Sequence, residues 1–562
     1  MHSPNPCSLV RLHLQVKATG VPNFAGARIP VHSQLRIIRW RDLLLGYFDE
    51  SLCDFLEFGF PLDYSAPDLP HVSHYRNHLG ARSHVKEVSD YLMEECGSGR
   101  IAGPFDIAPV SDFMVSPLNT IPKSGSSERR ILVDLSWPFG SSVNDGIVKG
   151  TFLGQPFQLT FPTVDDVSRL ILACGTGARI YKRDLAKAYR QFPIDPLDYR
   201  HLGYFWQGRY YFDTVLCMGQ RSAALSCQRT TRAVTYIHNS RGFSSLVYLD
   251  DFIGVEPPDS SHQAFIALGE LLLDLGLHEK RSKAVPPATR VVVLGVLFDT
   301  IEMTMQVTRE RLDEILELLP LWNDKKEASR VELQRLLGKL SFVSKCVRQS
   351  RIFLNRIFAA LRTVHRDHHR VDLSVEFRKD IAWWIAFVQI YNGVSLIPSS
   401  IYSSPDQVFS TDACMTGCGA LCAESYFHAQ FPKCVINKDY DINCLELLTV
   451  VVAVKVWGSK WRGMNIQIFV DNMTTVLAIN SGASRNDFIS ACLRELWFWC
   501  AKFEILLRAQ HLPGVDNRLA DYLSRWHLRP KFYSQKFFSE LNSDIEEVFL
   551  EEANFSLDTI WL

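Results

Sequence analysis

Two adjacent aspartates, Asp250 and Asp251, interrupt the apolar run SLVYLDDFIGV, which otherwise alternates like a buried hairpin. Like charges placed side by side in a half-buried turn repel each other and lose their hydration. A divalent cation between them would relieve both penalties, whereas the structural alternative is an exposed Asp-Asp turn between two strands. The pair therefore predicts a hairpin whose tip is either a metal site or a surface turn.

A third acid favours the metal site. Asp184 stands at the end of another apolar run, ARIYKRDL, with a helix predicted behind it. Because two strand ends can face each other, Asp184 and Asp250 are predicted to share a pair of oxygen-ligated divalent ions. Such ions, about 4 Å apart, activate an attacking hydroxyl and stabilise a departing pyrophosphate in phosphoryl transfer.

Several segments place these acids in a known order. KRDLAKAYRQF, CMGQRSAAL, YLDD and VVVLGVLF resemble, in order and spacing, the successive palm motifs of reverse transcriptases. Upstream, SPLNTIPKSGSSERRILVDLSWPFGSSVNDGI resembles the fingers hairpin of the DIRS-like retrotransposon branch of that family. The resemblance implies an α+β fold, a right-hand polymerase of fingers, palm and helical thumb, with Asp184, Asp250 and Asp251 as the catalytic metal ligands.

The same resemblance implies which residues bind the incoming nucleotide. Lys123 and Arg130 match the positions that grip the triphosphate, where fixed positive charges neutralise polyphosphate. Asp134 would lie beneath the nucleotide, although a surface acid on a β-hairpin is the alternative. Tyr189 matches the aromatic floor of the sugar pocket, which excludes a 2′-hydroxyl sterically. Gly219 matches the point where the backbone passes close to template and nucleotide.

The chain departs from the family pattern beside these motifs. Cys217 and Met218 stand where relatives often carry Pro with Gln or Phe, which leaves the shape of the nucleotide pocket open. Lys283, in EKRSKAV, is expected to be a surface lysine, with a place beside the pyrophosphate as the alternative.

A second set of acids with a different spacing follows near the end of the chain. Asp412 lies in VFSTDAC, Glu446 in INCLELLTVVVAV, Asp471 at the end of IQIFVDN, and Asp521 in NRLADYLSR. The ordered set, together with HLPGVDNRLAD, resembles ribonuclease H, an α/β fold. The resemblance implies that the carboxylates hold two Mg²⁺ ions that activate water against one RNA phosphate of a hybrid duplex. His511 matches a mobile family histidine that shuttles a proton or helps product release.

These nuclease residues have structural alternatives. Glu446 could close a capping box with Asn443, because N-x-x-E before an apolar run is a helix-start signal. Asp471 and Asn472 could form a strand-ending turn, and His511 could be a loop histidine without a role.

Composition and the ends of the chain set further limits. The 562 residues are 47% hydrophobic and carry a net charge of −1, so neither disorder nor a uniformly basic nucleic-acid coat is expected. The start lacks the apolar stretch of a signal peptide, and no apolar run approaches the ~20 residues that span a bilayer. An intracellular protein of the cytoplasm or nucleus, not secreted and without a membrane partner, is therefore expected.

Cysteine usage is typical of reduced thiols. The 14 cysteines include no CxxC pair, so neither a disulfide framework nor a zinc ribbon is expected. Cys414, Cys418 and Cys422 are expected to occupy a tight pair of β-strands, because their surroundings offer no tetrahedral cage.

Changes in pattern along the chain predict five regions. They are an N-terminal leader region (1–104), reverse transcriptase fingers and palm (105–304), a helical thumb or connection (305–400), a ribonuclease H-like domain (401–530) and an acidic C-terminal tail (531–562). Residues 335–370 carry nine Lys and Arg against one acid, Asp367, which suits a polyanion, although solvated helix faces are the alternative.

The motifs together predict an RNA-directed DNA polymerase with an associated RNA–DNA hybrid ribonuclease. Each active site is expected to hold two Mg²⁺ ions, with Mn²⁺ as a substitute. The expected partners are an RNA template, a DNA primer, the RNA–DNA hybrid and dNTPs, and no oligomeric state is indicated. The alternative is a domesticated, non-catalytic nucleic-acid-binding scaffold that retains both folds.

Overall fold

The computed structural model of this chain describes residues 30–66, 75–110, 112–123, 128–366, 369–397, 405–541 and 545–561. The chain divides into two units, residues 1–291 and 292–562. Each unit combines helices with β-sheets, so the mixed α and β class expected from the sequence is confirmed. Within the described residues, no helix is long and apolar enough to cross a membrane.

Short runs of β-branched and aromatic residues form the strands of the first unit. They are β1 (Ile101–Phe105), β2 (Leu118–Pro122), β3 (Arg129–Val133), β4 (Thr151–Phe152), β5 (Gln155–Pro156), β6 (Arg179–Asp184), β7 (Gly203–Trp206), β8 (Arg209–Asp213), β9 (Ser245–Tyr248), β10 (Asp251–Glu256) and β11 (Val285–Ala288). One sheet has the order β1-β8-β7 and another the order β11-β6-β10-β9, while β2-β3 and β4-β5 are two-stranded. Asp184 and Asp251 therefore end and begin neighbouring strands.

Helices pack against these sheets. They are α1 (Ile37–Leu43), α2 (Leu52–Phe58), α3 (Leu79–Arg82), α4 (Val85–Gly97), α5 (Val164–Cys174), α6 (Ala223–Ser240) and α7 (Pro258–Asp274). Helix α5 begins at a capping box in which Thr163 and Asp166 each accept the other's backbone N–H.

The described part of the predicted leader region belongs to the core of the first unit. Trp40 and Leu56 are fully buried in the same cluster as Tyr181 and Phe252 of the central sheet. The apolar faces of α1 and α2 have to be covered, and this core covers them. The structure also differs from the predicted boundary at residue 104, which falls inside β1.

The second unit contains one large sheet and two smaller ones. Its strands are β12 (Arg290–Val293), which spans the boundary in sequence, β13 (Val296–Asp299), β14 (Thr304–Gln306), β15 (Glu327–Ser329), β16 (Arg370–Asp372), β17 (Val394–Leu396), β18 (Gln407–Cys414), β19 (Gly417–Cys422), β20 (Ser425–Gln430), β21 (Asn465–Val470), β22 (Leu506–His511) and β23 (Glu546–Glu547). The large sheet has the order β22-β21-β18-β19-β20-β23, with β18, β21 and β22 parallel and β19 antiparallel to both its neighbours. The smaller sheets have the orders β12-β13-β14-β17 and β15-β16.

The second unit also contains helices. They are α8 (Arg309–Leu318), α9 (Pro320–Asn323), α10 (Arg330–Val343), α11 (Asn355–Thr363), α12 (Val375–Ile390), α13 (Lys433–Ile436), α14 (Ile442–Trp457), α15 (Met473–Ser481), α16 (Asp487–Lys502), α17 (Arg518–Ser524) and α18 (Pro530–Glu540). Helices α8 to α12 confirm the helical character predicted for the thumb segment, which the β15-β16 pair interrupts. The predicted boundary at 304 falls at the start of β14.

The described part of the predicted acidic tail is packed. Strand β23 adds to the edge of the large sheet beside β20. Trp561 is 1% exposed, and its Nε1 donates to the carboxylate of Glu495 at 2.8 Å. Residues 545–561 therefore pack as part of the second unit.

Candidate carboxylate active sites

The first acid cluster lies where the β9–β10 hairpin meets the end of β6. Tyr248 pairs with Asp251 across the hairpin, which leaves Leu249 and Asp250 as a two-residue turn. The same Asp251 pairs with Asp184 across β6 and β10, and the N–H of Leu185 donates to the Asp250 carbonyl at 3.1 Å. The antiparallel register thus brings the three predicted acids together.

Lysines supply part of the countercharge in this cluster. The Nζ of Lys283 lies 2.6 Å from an Asp184 oxygen, and the Nζ of Lys182 lies 3.0 Å from an Asp251 oxygen. Burial raises the pKa of Asp250, and the neighbouring Asp184 raises it further. Burial also raises the pKa of Asp251, against the opposing effect of Lys182. Lys283 is an exposed lysine, as expected, but its ammonium also pairs with an acid from a strand about 100 residues earlier.

Gln228 supports the turn that carries Asp250 through two hydrogen bonds. Its side chain is 2% exposed on α6, where Oε1 accepts the N–H of Leu249 at 2.7 Å and Nε2 donates to the Val247 carbonyl at 2.9 Å. Leu249 has a φ of +54°, a backbone region that leucine rarely occupies without support. Sequence reasoning missed Gln228, since a glutamine within a helix carries no signal of such a contact.

A cavity of about 1080 Å³ in the first unit collects most of the predicted polymerase residues. Its lining includes Asp184, Asp250, Tyr189, Lys123 and Arg130. The Lys123 ammonium pairs with Glu128 at 2.6 Å across the β2–β3 hairpin. Two acids of the cluster and two predicted phosphate-binding cations therefore face one space.

Tyr189 forms part of the wall of this cavity. It lies on a single 3₁₀ turn, Ala188–Gln191, and packs against the core of the first unit. Burial raises the pKa of the Tyr189 hydroxyl to about 12. The hydroxyl is therefore neutral, and the ring is half-buried.

Asp134 and Gly219 do not belong to the described lining of that cavity. The Asp134 carboxylate lies 2.8 Å from Nε2 of His78 and accepts the N–H of Ser136 at 3.1 Å. Gly219 has a φ of +98°, and a Cβ there would lie 3.3 Å from the Val133 carbonyl. A residue without a side chain is favoured at this close approach, while the predicted approach of Gly219 to template and nucleotide stays a prediction.

The second cluster forms at the carboxyl ends of parallel strands. Ser410 of β18 is in register with Phe469 of β21, so Asp412 and Asp471 follow two residues later on neighbouring strands. Glu446 reaches them from α14. Ligand atoms of Asp412, Glu446 and Asp471 all lie within 4.8 Å of one another, which is close enough to share a metal ion.

Glu446 is the most buried acid in this cluster. Oε1 accepts the N–H of Ala413 at 3.1 Å, whereas Oε2 is buried and has no hydrogen-bond partner among the described residues. Burial raises the pKa of Glu446 well above its ordinary value, and Asp412 and Asp471 add to the shift. An orphaned buried carboxylate oxygen facing two other acids fits a divalent cation.

The capping alternative for Glu446 was wrong. The N-cap of α14 is Asp441, whose side chain accepts the N–H of Cys444 at 3.0 Å. Asn443 instead accepts a hydrogen bond from Asn472 at 2.9 Å, and Asn472 caps α15. The Asp471–Asn472 pair does end a strand, but Asp471 also joins the acid cluster.

Asp412 and Asp521 come together through α17. The Ser524 hydroxyl donates to Asp412 at 2.5 Å, and burial raises the pKa of Asp412 to about 7. Asp521 pairs with Arg525 at 2.8 Å. It is not one of the three acids whose ligand atoms lie within 4.8 Å of one another. A Cβ on Gly419 would lie 2.3 Å from Leu523, so the bare glycine lets α17 approach the sheet.

His511 ends β22 on the exposed side of this cluster. It is in register with Val470, directly before Asp471, and its charge lowers the pKa of Asp471 while burial dominates and raises it. Cys414, Cys418 and Cys422 lie on β18 and β19 as expected, and the described metal-compatible group contains none of them.

The basic segment 335–370 is partly neutralised inside the second unit. Lys339 pairs with Glu314 at 2.8 Å and Arg356 with Asp380 at 2.5 Å, and Arg370 also pairs with Glu327. Asp367 lies outside the described residues. The structure therefore leaves a weaker positive field than the sequence count suggests.

No protein-family model and no curated protein matches this chain. Among solved structures, it is similar to the foamy viral protease-reverse transcriptase dRH in complex with double-stranded DNA, at a TM-score of 0.46 and 14% identity over 86% of this chain and 83% of that one. The foamy viral protease-reverse transcriptase in complex with double-stranded DNA matches at a TM-score of 0.45 and 15% identity, over 79% of this chain and 85% of that one. The foamy viral protease-reverse transcriptase in complex with RNA/DNA hybrid matches at a TM-score of 0.43 and 14% identity, over 87% of this chain and 65% of that one. At these values the similarities assign no activity to this chain.

Proposed function

We propose that this chain is an RNA-directed DNA polymerase with an associated ribonuclease H that cleaves RNA–DNA hybrids. The observation that carries the proposal is the convergence of two acid sets, each within its own unit. Asp184 lies opposite Asp251 in the first unit. Asp412, Glu446 and Asp471 approach within 4.8 Å in the second.

The polymerase half combines a metal-compatible edge with a cavity large enough for a nucleotide. Asp184, Asp250 and Asp251 would hold two Mg²⁺ ions, or Mn²⁺, which activate the primer hydroxyl and stabilise the departing pyrophosphate. Lys123 and Arg130 at the same cavity neutralise the triphosphate of a dNTP. The Tyr189 ring excludes a 2′-hydroxyl, and Asp134 and Gly219 shape the surroundings of the pocket.

The nuclease half rests on the four acids of the large sheet and its helices. Asp412, Glu446, Asp471 and Asp521 would hold two Mg²⁺ ions, which activate water against an RNA phosphate. The unpartnered Oε2 of Glu446 supports this assignment, because a buried carboxylate oxygen is otherwise left unsatisfied. His511 stands beside Asp471, where it can move a proton during product release.

The finer identity follows from the motifs. We propose a DIRS-like retrotransposon enzyme that acts in the cytoplasm or nucleus on an RNA template, a DNA primer and dNTPs. Phosphate contacts dominate such binding, so affinity for hybrid should fall steeply with salt.

A non-catalytic nucleic-acid scaffold is the second candidate, and one observation favours it. Lys283 and Lys182 already pair with Asp184 and Asp251, so the first cluster is partly charge-balanced without a metal. The unpartnered Glu446 oxygen opposes this candidate, because a site that never binds a cation gains nothing from keeping it.

RNA-templated primer extension and hybrid cleavage, measured on the same preparations, separate these possibilities. Wild type should show both activities, Asp250→Asn only cleavage, and Asp471→Asn only extension. Glu270→Gln and Glu310→Gln remove exposed acids from each unit and serve as matched controls that keep both activities. A wild-type protein that binds hybrid but shows neither activity is a scaffold, and one that only cleaves is a nuclease.

A further inference from the structure

Helix α4 carries a buried carboxylate that the proposed chemistry does not use. Glu95 is fully buried and bonds to Arg100 at 2.8 Å, to Lys187 at 3.0 Å and to Arg190 at 2.9 Å. Burial acts to raise the pKa of Glu95, but these cations outweigh it and lower that pKa to about 2. The carboxylate is therefore a permanently charged anchor for three basic side chains.

Arg190 is held from a second side. Its guanidinium also lies 2.5 Å from the carboxylate of Asp213 at the end of β8. The Arg190 and Asp213 side chains are only 10% and 3% exposed. Buried pairs of this kind tolerate little displacement, because moving one partner leaves an uncompensated charge. The backbone at Arg190 is consequently fixed between α4 and β8.

The two anchored cations flank the predicted sugar-pocket residue. Lys187 precedes Tyr189 by two residues and has a φ of +49°, and the Arg190 N–H donates to the Lys187 carbonyl at 2.7 Å. The opposite side of this turn is tied by Gln191, whose Nε2 donates to the Ala186 carbonyl at 2.7 Å. The short segment from Asp184 to Gln191 is thus clamped on both sides of the Tyr189 ring.

The fixed position of Tyr189 matters for discrimination between dNTP and rNTP. A ring that excludes a 2′-hydroxyl by contact alone works only while its position is fixed to within a fraction of an ångström, because no attractive contact distinguishes the two sugars. The Tyr189 backbone lies between Lys187 and Arg190, and Glu95 is the carboxylate that contacts both of these cations. Lys187 also bonds Glu94 at 2.6 Å, and Arg190 also bonds Asp213 at 2.5 Å, so Glu95 links two cations that have further partners.

We propose that Glu95 is a positioning residue for sugar selection, acting through Lys187 and Arg190 on the place of the Tyr189 ring. This inference rests on the proposed polymerase function and extends it to α4, whose segment the sequence motifs leave without a role. Glu95 touches no substrate, so it governs discrimination between dNTP and rNTP and the KM for dNTP more than the rate at saturating nucleotide.

The test is single-nucleotide extension with dNTP and rNTP. Glu95→Gln keeps the shape of the side chain but removes its charge, and we expect it to lower the dNTP/rNTP ratio of kcat/KM about tenfold, mainly through KM for dNTP. Tyr189→Ala provides the reference for lost discrimination. Lys187→Met should show part of the effect of Glu95→Gln, and Lys187→Arg should restore the wild-type ratio.

Asp49→Asn is the matched control. Asp49 is another largely buried carboxylate of the first unit, with its side chain 11% exposed, bonded to Arg229 at 2.7 Å and outside the segment from Asp184 to Gln191. Denaturant unfolding of every variant reports the stability of the folded protein, and hybrid cleavage by the second unit reports the amount of protein present. If Glu95→Gln is destabilised like Asp49→Asn but retains the wild-type ratio and KM, the network is only structural and the inference is overturned. A wild type without any extension overturns both the inference and the polymerase function, whereas unchanged ratios in an active enzyme overturn the inference alone.

Discussion

The two acid clusters differ in the source of their countercharge. In the first unit, ammonium groups lie 2.6 Å from Asp184 and 3.0 Å from Asp251. In the second, the described partners of Glu446 include no cation, and one of its oxygens has no partner at all. The first cluster can therefore persist without a metal, whereas the second accumulates electrostatic strain that a divalent ion would relieve.

The largest expected effect comes from removing the unpartnered acid. Glu446→Gln should lower hybrid cleavage about a thousandfold or more, because a ligand of the catalytic metals is lost, and leave extension unchanged. In chelator the same variant should be more stable than wild type, since it removes a buried negative charge. Glu495→Gln is the contrasting control: that buried glutamate pairs with Lys455 at 2.7 Å, so its loss should destabilise the protein without abolishing cleavage.

The pH dependence of stability sharpens the comparison. The pKa of Asp412 is raised to about 7 and that of Glu446 is also raised, so between about pH 4 and pH 7 the folded state holds more protons than the unfolded state. The metal-free free energy of unfolding should consequently fall by a few kcal/mol as pH rises through this window. Denaturant unfolding at a series of pH values in the presence of chelator measures this fall in the free energy of unfolding. Saturating Mg²⁺ or the Asp412→Asn/Glu446→Gln variant should flatten the profile, and an equally steep profile in that variant contradicts the assignment.

A smaller effect is expected from the support of Asp412. Ser524→Ala removes the hydroxyl that donates to Asp412 at 2.5 Å. Loss of a hydrogen bond that orients a metal ligand should weaken the apparent Mg²⁺ affinity of cleavage about tenfold. Ser539→Ala, which removes an exposed hydroxyl of α18, is the control. Identical Mg²⁺ dependence in both variants would show that Ser524 only packs.

The smallest effect tests the built-in countercharge of the first cluster. Lys283→Met should lower the Mg²⁺ concentration that half-saturates extension about two- to fivefold, because its ammonium competes with a metal for Asp184 and is half exposed. Lys280→Met removes the same charge from the same cavity and should change the half-saturating Mg²⁺ concentration less. A higher Mg²⁺ requirement in Lys283→Met alone would mean that the ammonium assists the site.

The acids themselves were predictable, because a charge that interrupts an apolar strand has few physical explanations. Asp184 ends β6, Asp471 directly follows β21, and Asp250 lies in the β9–β10 turn. Asp412 lies inside β18, two residues before its end, and the order of the motifs indicates which of these acids meet. The helical character of residues 305–400 was likewise predicted, and the helices α8 to α12 confirm it. These features depend on local pattern.

The supporting residues were not predictable for the opposite reason. Gln228 and Lys283 contact residues that are distant in sequence, and Glu95 contacts Lys187 and Arg190 as well as the nearby Arg100. Nothing in their own neighbourhood indicates the distant partners. The burial of α1 and α2 in the core and the packing of Trp561 also depend on surfaces supplied by other segments. Tertiary contacts therefore determine where the leader and tail regions pack.

Counting Mn²⁺ bound to the full chain by electron paramagnetic resonance addresses both clusters at once. The wild type should bind Mn²⁺ at two independent sets of sites, with Asp250→Asn losing one set and Glu446→Gln losing the other. Wild-type protein that binds no Mn²⁺ specifically, or variants that keep the full wild-type stoichiometry, would contradict the assignment of these carboxylates as metal ligands.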